Sequence, residues 1–209
     1  NSKEVDDQIS IEEPLEITIK YKDKENWVEN TISITMRTPG DDEDLVRGFL
    51  FNERVIEKID YIESIKLTGD PVGQYKLKNK AVATINNSEN IDIDKIKRNF
   101  LTNSSCGVCG KTSLDSLEII KKDKILKSIP KIKHDTIMKS PNMLRQNQSE
   151  FSKTGGIHAS GLFNASGEII AVKEDVGRHN ALDKLIGFVL KKELLDNSSQ
   201  FLTCSGRLN

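Results

Sequence analysis

Between Leu162 and Cys204 the apolar pattern changes period twice, and those two changes narrow the possible folds sharply. Leu162-Phe163 and Glu168 to Val172 are short β-favouring runs around Asn164-Ala165-Ser166-Gly167, a composition suited to a hairpin turn. From Ala181 to Leu195 the spacing becomes helical, with Leu182, Leu185, Ile186, Val189 and Leu190 on the inner face. Phe201 to Cys204 then reads as a buried strand running into Ser205-Gly206-Arg207. Strand, helix, strand in that order predicts an α/β unit, whose parallel sheet needs helices over both faces. The sequence ends at Asn209, where such a layer would want another covering helix, so the pattern predicts a missing C-terminal piece.

The first hundred residues read differently. Pro14 to Tyr21 alternates at period two, as does Thr31 to Arg37, and the charged segment near Lys24 to Asn26 is placed to join them as a hairpin. After the Thr38-Pro39-Gly40 turn, Asp41 or Asp42 is positioned to cap a helix with Leu45, Val46, Phe49 and Leu50 on one face. Further strands are predicted at Ile62 to Leu67, Val72 to Leu77 and Ala81 to Ile85, and a short basic helix from Asp94 to Phe100. Beyond it, Leu114 to Ile120 begins a helix, Pro130 and Pro141 punctuate, and Asn142 to Phe151 is helical in pattern. The expected organisation is a small α+β domain over 1–100 and an α/β domain over 101–209.

Composition removes several function classes. With 31 basic and 32 acidic residues the net charge is −1, which is no nucleic-acid footprint, so any polyanion would be held by a local site. No apolar run approaches the roughly 18 residues of a membrane span. The acidic start (Glu4, Asp6, Asp7, Glu12, Glu13) has no signal-peptide pattern, and a cytoplasmic protein is expected. Three cysteines do not make a disulfide framework in a chain of 209 residues, and in a reducing compartment C-x-x-C points to catalysis or metal.

That pair is Cys106-Gly107-Val108-Cys109, between Asn103-Ser104-Ser105 and Gly110-Lys111-Thr112. A thiolate is the reactive form, and it is favoured by cations and helix N-termini. Lys111 supplies the cation, and Thr112 or Ser113 can cap the following helix. Glycines at 107 and 110 leave room for a bulky partner to approach each sulfur. Buried small hydrophobes, or half of a zinc site, are the competing structural readings.

A second constellation, Glu174-Asp175-Val176-Gly177-Arg178-His179-Asn180, opens the amphipathic helix. Free N–H groups there suit an anion, and the planar Arg178 fork suits a phosphate, unless Arg178 simply pairs with Glu174 or Asp175. Thr154-Gly155-Gly156-Ile157-His158 and Ser205-Gly206-Arg207 are further polar turns, the latter at the carboxyl end of a strand where α/β sheets bind ligands. His158 and His179 stand beside glycines at element ends, whereas His134 lies in a lysine-rich, solvated loop.

Some apparent matches fail. Gly110-Lys111-Thr112 resembles the end of a P-loop, but Ser105 occupies the first glycine's place and no apolar strand leads in. His158-Ala159-Ser160 lacks the glutamate of a zinc deaminase, and the cysteines lie upstream of it. A thioredoxin-like oxidoreductase would want an apolar strand before its C-x-x-C, where Lys95 to Phe100 is basic. A structural zinc would need Cys106, Cys109, Cys204 and a fourth ligand such as His158 or His179. Dithiol oxidoreductase and non-catalytic zinc or nucleotide-binding module remain as alternatives.

Taken in order, Ser105-Cys106-Gly107-Val108-Cys109-Gly110, Thr154 to Ala159, Asp175 to Lys184 and Ser205-Gly206-Arg207, with Gly48-Phe49-Leu50-Phe51, closely resemble the FdhD family of formate dehydrogenase accessory sulfurtransferases. The resemblance covers most of the chain from about residue 14. It implies a persulfide carrier that takes sulfur from a cysteine desulfurase and passes it to the molybdenum or tungsten bis(guanine dinucleotide) cofactor before insertion into formate dehydrogenase. It also implies a homodimer, and a cytidine-deaminase-like three-layer α/β domain behind the small α+β domain, without a structural metal. Cys106 maps to the persulfide carrier, with Cys109 as its helper. Thr154, Gly155, Gly156, His158, Gly177, Arg178, His179, Asn180, Ser205, Gly206 and Arg207 are the expected cofactor contacts, for which GDP is a fragment mimic. Family members continue past Ser205-Gly206-Arg207 into a segment that helps hold the cofactor.

Overall fold

A computed structural model describes residues 7–71, 73–86, 131–196 and 199–207. The predicted helices at Asp94 to Phe100 and Leu114 to Ile120, the Cys106 and Cys109 pair with Lys111 and Thr112, and the expected domain boundary at 100/101 all lie outside these residues. Strands β1 (Glu13–Asp23) and β2 (Asn26–Arg37) form the expected hairpin. On the other side of β1, β4 (Lys80–Ile85) runs parallel, and β3 (Ile62–Thr68) pairs antiparallel with β4, giving the order β2-β1-β4-β3. Period-two alternation turns Leu15, Ile17, Ile19 and Tyr21 to one face, where Ala81, Ala83 and Ile85 join them. Helix α1 (Asp42–Asn52) covers that face with Leu45, Val46 and Leu50. Each Leu or Ile so buried stabilises the fold by roughly 1.5–3 kcal/mol.

Two local expectations in this half are corrected. The strand predicted from Val72 to Leu77 is a turn over 73–76 with an isolated bridge at Leu77, because the left-handed backbone of Gly73 (φ 69°) and Lys76 (φ 49°) cannot continue a ladder. Neither Asp41 nor Asp42 caps α1 through its side chain. Asp41 is spent on Lys173, 2.9 Å away, and Asp42 accepts two hydrogen bonds from buried Arg37, at 2.9 and 3.1 Å.

In the second sheet β5 (His158–Asn164) is flanked by β6 (Ile169–Asp175) and β7 (Gln200–Cys204), both antiparallel to it. Strands β6 and β7 therefore run in the same direction, as a strand, helix, strand unit demands, but β5 is inserted between them. The unit is split, and the sheet is antiparallel rather than parallel. Among the described residues only β5 flanks β7, which is not buried as predicted: Leu202 is 45 % exposed. Helix α4 (Arg178–Lys191) covers one face through Leu185 and Val189 against Leu162 and Ala171. Helix α2 (His134–Gln146) covers the other through Leu144 against Ala159 and Phe163. This half is thus three layers, helix on sheet on helix.

Pro141 does not break the chain as expected but sits inside α2. The carbonyl its missing N–H would have bonded belongs to Ile137, and the Ser140 hydroxyl donates to that oxygen instead, at 2.9 Å. The helix predicted from Asn142 to Phe151 is divided between α2 and a new helix, α3 (Ser149–Thr154), whose first amides donate to the Glu174 carboxylate at 3.0 and 2.9 Å. Among the described residues no helix is long and apolar enough to cross a membrane.

The two halves meet where α1 lies directly on α4. A Cβ at Gly48 would overlap the Asp183 carbonyl and one at Gly187 the Asp44 carbonyl, so the helix backbones touch. Asp183 is half-buried at this crossing, with Asn52 donating to its Oδ1 at 2.6 Å. Desolvation pushes its carboxyl from 3.8 up to about 8, opposed by the Asn52 hydrogen bond and helped by the Glu53 and Asp175 charges. A folded pKa above the unfolded one means that the native state holds the proton more tightly. The stabilisation is complete below 3.8 and fades as pH rises toward about 8. Relative to Asp183→Asn, the urea midpoint of the wild-type protein should fall across that window. Parallel midpoints in the two proteins would refute it.

Candidate functional site

The antiparallel pairings that split the α/β unit also gather the site. His158, at the start of β5, lies opposite Asp175 at the end of β6, and Ser160 lies opposite Cys204 at the end of β7. The N-terminus of α4 emerges at the same edge. There the Ser205 amide donates to the Ala159 carbonyl at 2.9 Å, and its hydroxyl accepts the Ala159 amide at 2.9 Å and stands 3.1 Å from His158 Nδ1. A Cβ at Gly206 would come within 3.1 Å of Arg178 Cδ and 3.4 Å of His158 Cε1, so glycine lets the two side chains close over the backbone. Arg178 Nε donates to the Arg207 carbonyl at 2.7 Å. Five of the predicted residues, His158, Arg178, Ser205, Gly206 and Arg207, are therefore in one place.

Arg178 is not neutralised by its acidic neighbours. Glu174 serves the α3 amides, and Asp175, fully buried, forms an ion pair with Lys184 at 2.8 Å. No ion pair to the Arg178 guanidinium occurs among the described residues. A cation at a helix N-terminus is the unfavoured end of the macrodipole, so its placement there is not explained by helix stability. An anion bound at this edge would be complementary to both the guanidinium and the first amides of α4.

The remaining predicted residues are placed as follows. His179 is half-buried beside Arg178, and burial first, then the Arg178 charge, lowers its pKa and favours the neutral imidazole. Gly177 precedes α4, and a Cβ there would stand 3.0 Å from Asn180 Nδ2. Asn180 does not point into the site. Only 8 % exposed, it donates to the Met36 carbonyl at 2.7 Å and to Asp175 at 3.1 Å, and accepts from Thr35 Oγ1 at 3.1 Å. Thr154 Oγ1 donates to the Glu150 carbonyl at 2.9 Å and lies 2.9 Å from Ser10 Oγ. Gly155 closes α3 in the left-handed region (φ 69°), where glycine carries no Cβ penalty, and leads through exposed Gly156 to His158.

Cys204 is half-buried and accepts a hydrogen bond from Ser160 Oγ at 3.3 Å. Among the described residues no three His, Cys, Asp or Glu side chains stand together as metal ligands. Sequence reasoning missed Thr38, Glu174, Asp175 and Lys184 as organisers of this edge. Asp175 carried a legible signal, since an Asp two residues before Gly177 is an Asx turn, formed here by the Gly177 amide at 2.9 Å. Thr38 carried none, because its partners lie more than a hundred residues away.

A family model described as FdhD/NarQ matches residues 10–209. A sulfur carrier protein FdhD from Sulfurisphaera tokodaii is 42% identical over 204 residues, which is 97% of this chain and 71% of that protein. The like-named protein of Picrophilus torridus is 40% identical over 206 residues, 98% of this chain and 72% of its own. That of Mycobacterium tuberculosis is 35% identical over 204 residues, 95% of this chain and 71% of its own. A crystal structure assigned as a formate dehydrogenase accessory protein from Desulfotalea psychrophila superposes with a TM-score of 0.62 at 22% identity, covering 99% of this chain and 69% of that one, and so shares the fold. On the family match and these identities, the chain belongs to the FdhD/NarQ family.

Proposed function

We propose that this protein is a sulfur carrier serving formate dehydrogenase, with Cys106 as the atom that carries the sulfur and the edge around Arg178 as the holder of a guanine-dinucleotide cofactor. The names of its relatives support the sulfur-carrier role. The single structural observation behind the cofactor reading is the convergence of His158, Arg178, Ser205 and Gly206, with a guanidinium that has no carboxylate partner among the described residues. The cofactor is the substrate here, and its pyrophosphates match the Arg178 fork and the α4 amides. In this reading the three-layer half is a cytidine-deaminase-like domain joined near residue 100 to the small α+β domain, and the protein works in the cytoplasm as a homodimer.

Loading proceeds by thiolate attack of Cys106 on the outer sulfur of a cysteine desulfurase persulfide. The donor's S–S bond breaks, the desulfurase cysteine leaves as a thiolate, and Cys106 becomes the persulfide with no net oxidation. Delivery has two routes. Cys109 attacks the Cys106 sulfur, forming a Cys106–Cys109 disulfide and expelling the outer sulfur as hydrosulfide, so that the two thiols are oxidised as the sulfur is reduced; or Cys109 attacks the outer sulfur and takes over the persulfide. Both are intramolecular across two residues, where effective concentration is high. Incubation with a cysteine desulfurase and cysteine, followed by mass spectrometry, should show one added sulfur atom on Cys106 and none in Cys106→Ala. Full loading of that variant would remove Cys106 from the role.

A further inference from the structure

The segment from Asp175, at the end of β6, to Asn180, in the first turn of α4, presents Arg178, yet much of what holds it comes from the other half of the molecule. Two of the three polar groups of Thr38, in the turn between β2 and α1, are bound by it, and the third by Lys184 of α4. The Thr38 amide donates to Asp175 Oδ2 at 3.1 Å, the hydroxyl accepts the Val176 amide at 3.1 Å, and the carbonyl accepts Lys184 Nζ at 2.7 Å. The turn is itself immobilised, because preceding Arg37 is fully buried and bonded to Asp42, the Glu13 carbonyl and Asn79. Asp175 then completes the link with its other oxygen, which accepts the Gly177 amide at 2.9 Å and Asn180 Nδ2 at 3.1 Å.

We propose that Thr38 is a positioning residue for the anion-binding loop: through its contacts with Asp175, Val176 and Lys184 it sets the path of the backbone that carries Arg178. The inference rests on the cofactor reading of that edge and extends it to a residue that touches no ligand itself. The hydroxyl is the informative group, since its removal leaves the Val176 amide without its acceptor two residues before Arg178, while the amide and carbonyl contacts of Thr38 survive. A loop ordered before the ligand arrives binds more tightly than one the ligand must order.

GDP titrations by calorimetry of the wild-type protein, Thr38→Val, Thr38→Ser and Arg178→Ala, with amide exchange of the ligand-free proteins, test this. Thr38→Val should weaken GDP binding roughly tenfold and speed exchange at Val176 and Gly177, while Thr38→Ser, which keeps the hydroxyl, should match the wild type. Arg178→Ala should weaken GDP binding without altering exchange at Val176. If Thr38→Val binds GDP as the wild type does while Arg178→Ala does not, Thr38 has no positioning role, even if the urea midpoint falls. If the wild type binds no GDP, or Arg178→Ala binds it equally well, the nucleotide reading fails; exchange then decides the loop, and unaltered exchange at Val176 and Gly177 in Thr38→Val overturns the role of Thr38.

Discussion

Gly187→Ala should destabilise the protein by about 3 kcal/mol or more, the upper end of what inserting a methyl group into a packed interior costs. The sign is the informative part. In an exposed mid-helix position alanine is better than glycine by about 1 kcal/mol, so helix propensity alone predicts a gain. Here the new methyl would overlap the Asp44 carbonyl and come within 2.9 Å of the Gly48 amide nitrogen, and all of these atoms are backbone. No rotamer change relieves such a contact; α1 and α4 must separate. Gly48→Ala, which meets the Asp183 carbonyl across the same crossing, should behave alike. Since one separation accommodates both methyls, the double variant should cost less than the sum of the single ones. Urea unfolding monitored by circular dichroism measures each, and a raised midpoint for either single variant would show that the helices do not touch.

The buried ion pair supplies the other large effect. Asp175 is fully buried and Lys184 is 2 % exposed, and removing one partner of such a pair leaves an uncompensated charge at a cost of about 3–5 kcal/mol. The two single variants should not be equal. In Lys184→Met the carboxylate keeps the Thr38 and Gly177 amides and Asn180 Nδ2, three donors that stabilise its charge. In Asp175→Ala the ammonium keeps only the Thr38 and Glu174 carbonyls, at 2.7 and 3.4 Å, and those donors lose their acceptor. Asp175→Ala is therefore expected near the top of the range and Lys184→Met near the bottom, read from urea midpoints at neutral pH. The reverse order would mean that the carboxylate is not the organiser of the loop.

Local chemistry made much of this molecule legible. The alternation in Leu15, Ile17, Ile19 and Tyr21 located β1 and its buried face, and the Asn164 to Gly167 turn located the hairpin of β5 and β6. Where reading along the chain went astray, a tertiary partner had displaced a local preference. Asp42 was drawn from capping to Arg37, and Pro141 was accommodated because Ser140 satisfied the orphan carbonyl. Asn180 looked like a ligand contact from its place in a polar run, and its side chain is occupied by Met36, Thr35 and Asp175.

Residue type and short spacing singled out the candidates for chemistry: the Cys106 and Cys109 pair, the cation Arg178 at a helix start, and the glycine-bearing turns at 155–156 and 206. Those are properties of residue type and short spacing, which a linear pattern records. Which of the described ones share an edge, and what holds them there, depends on long-range contacts. That edge exists because β5 is inserted between β6 and β7, bringing His158 to Ser205 and Arg178 to Arg207, and because Thr38, from the other half, binds the loop through its amide and hydroxyl and Lys184 of α4 through its carbonyl. Such contacts join residues tens to more than a hundred positions apart, and no periodicity or local propensity encodes a pairing at that distance.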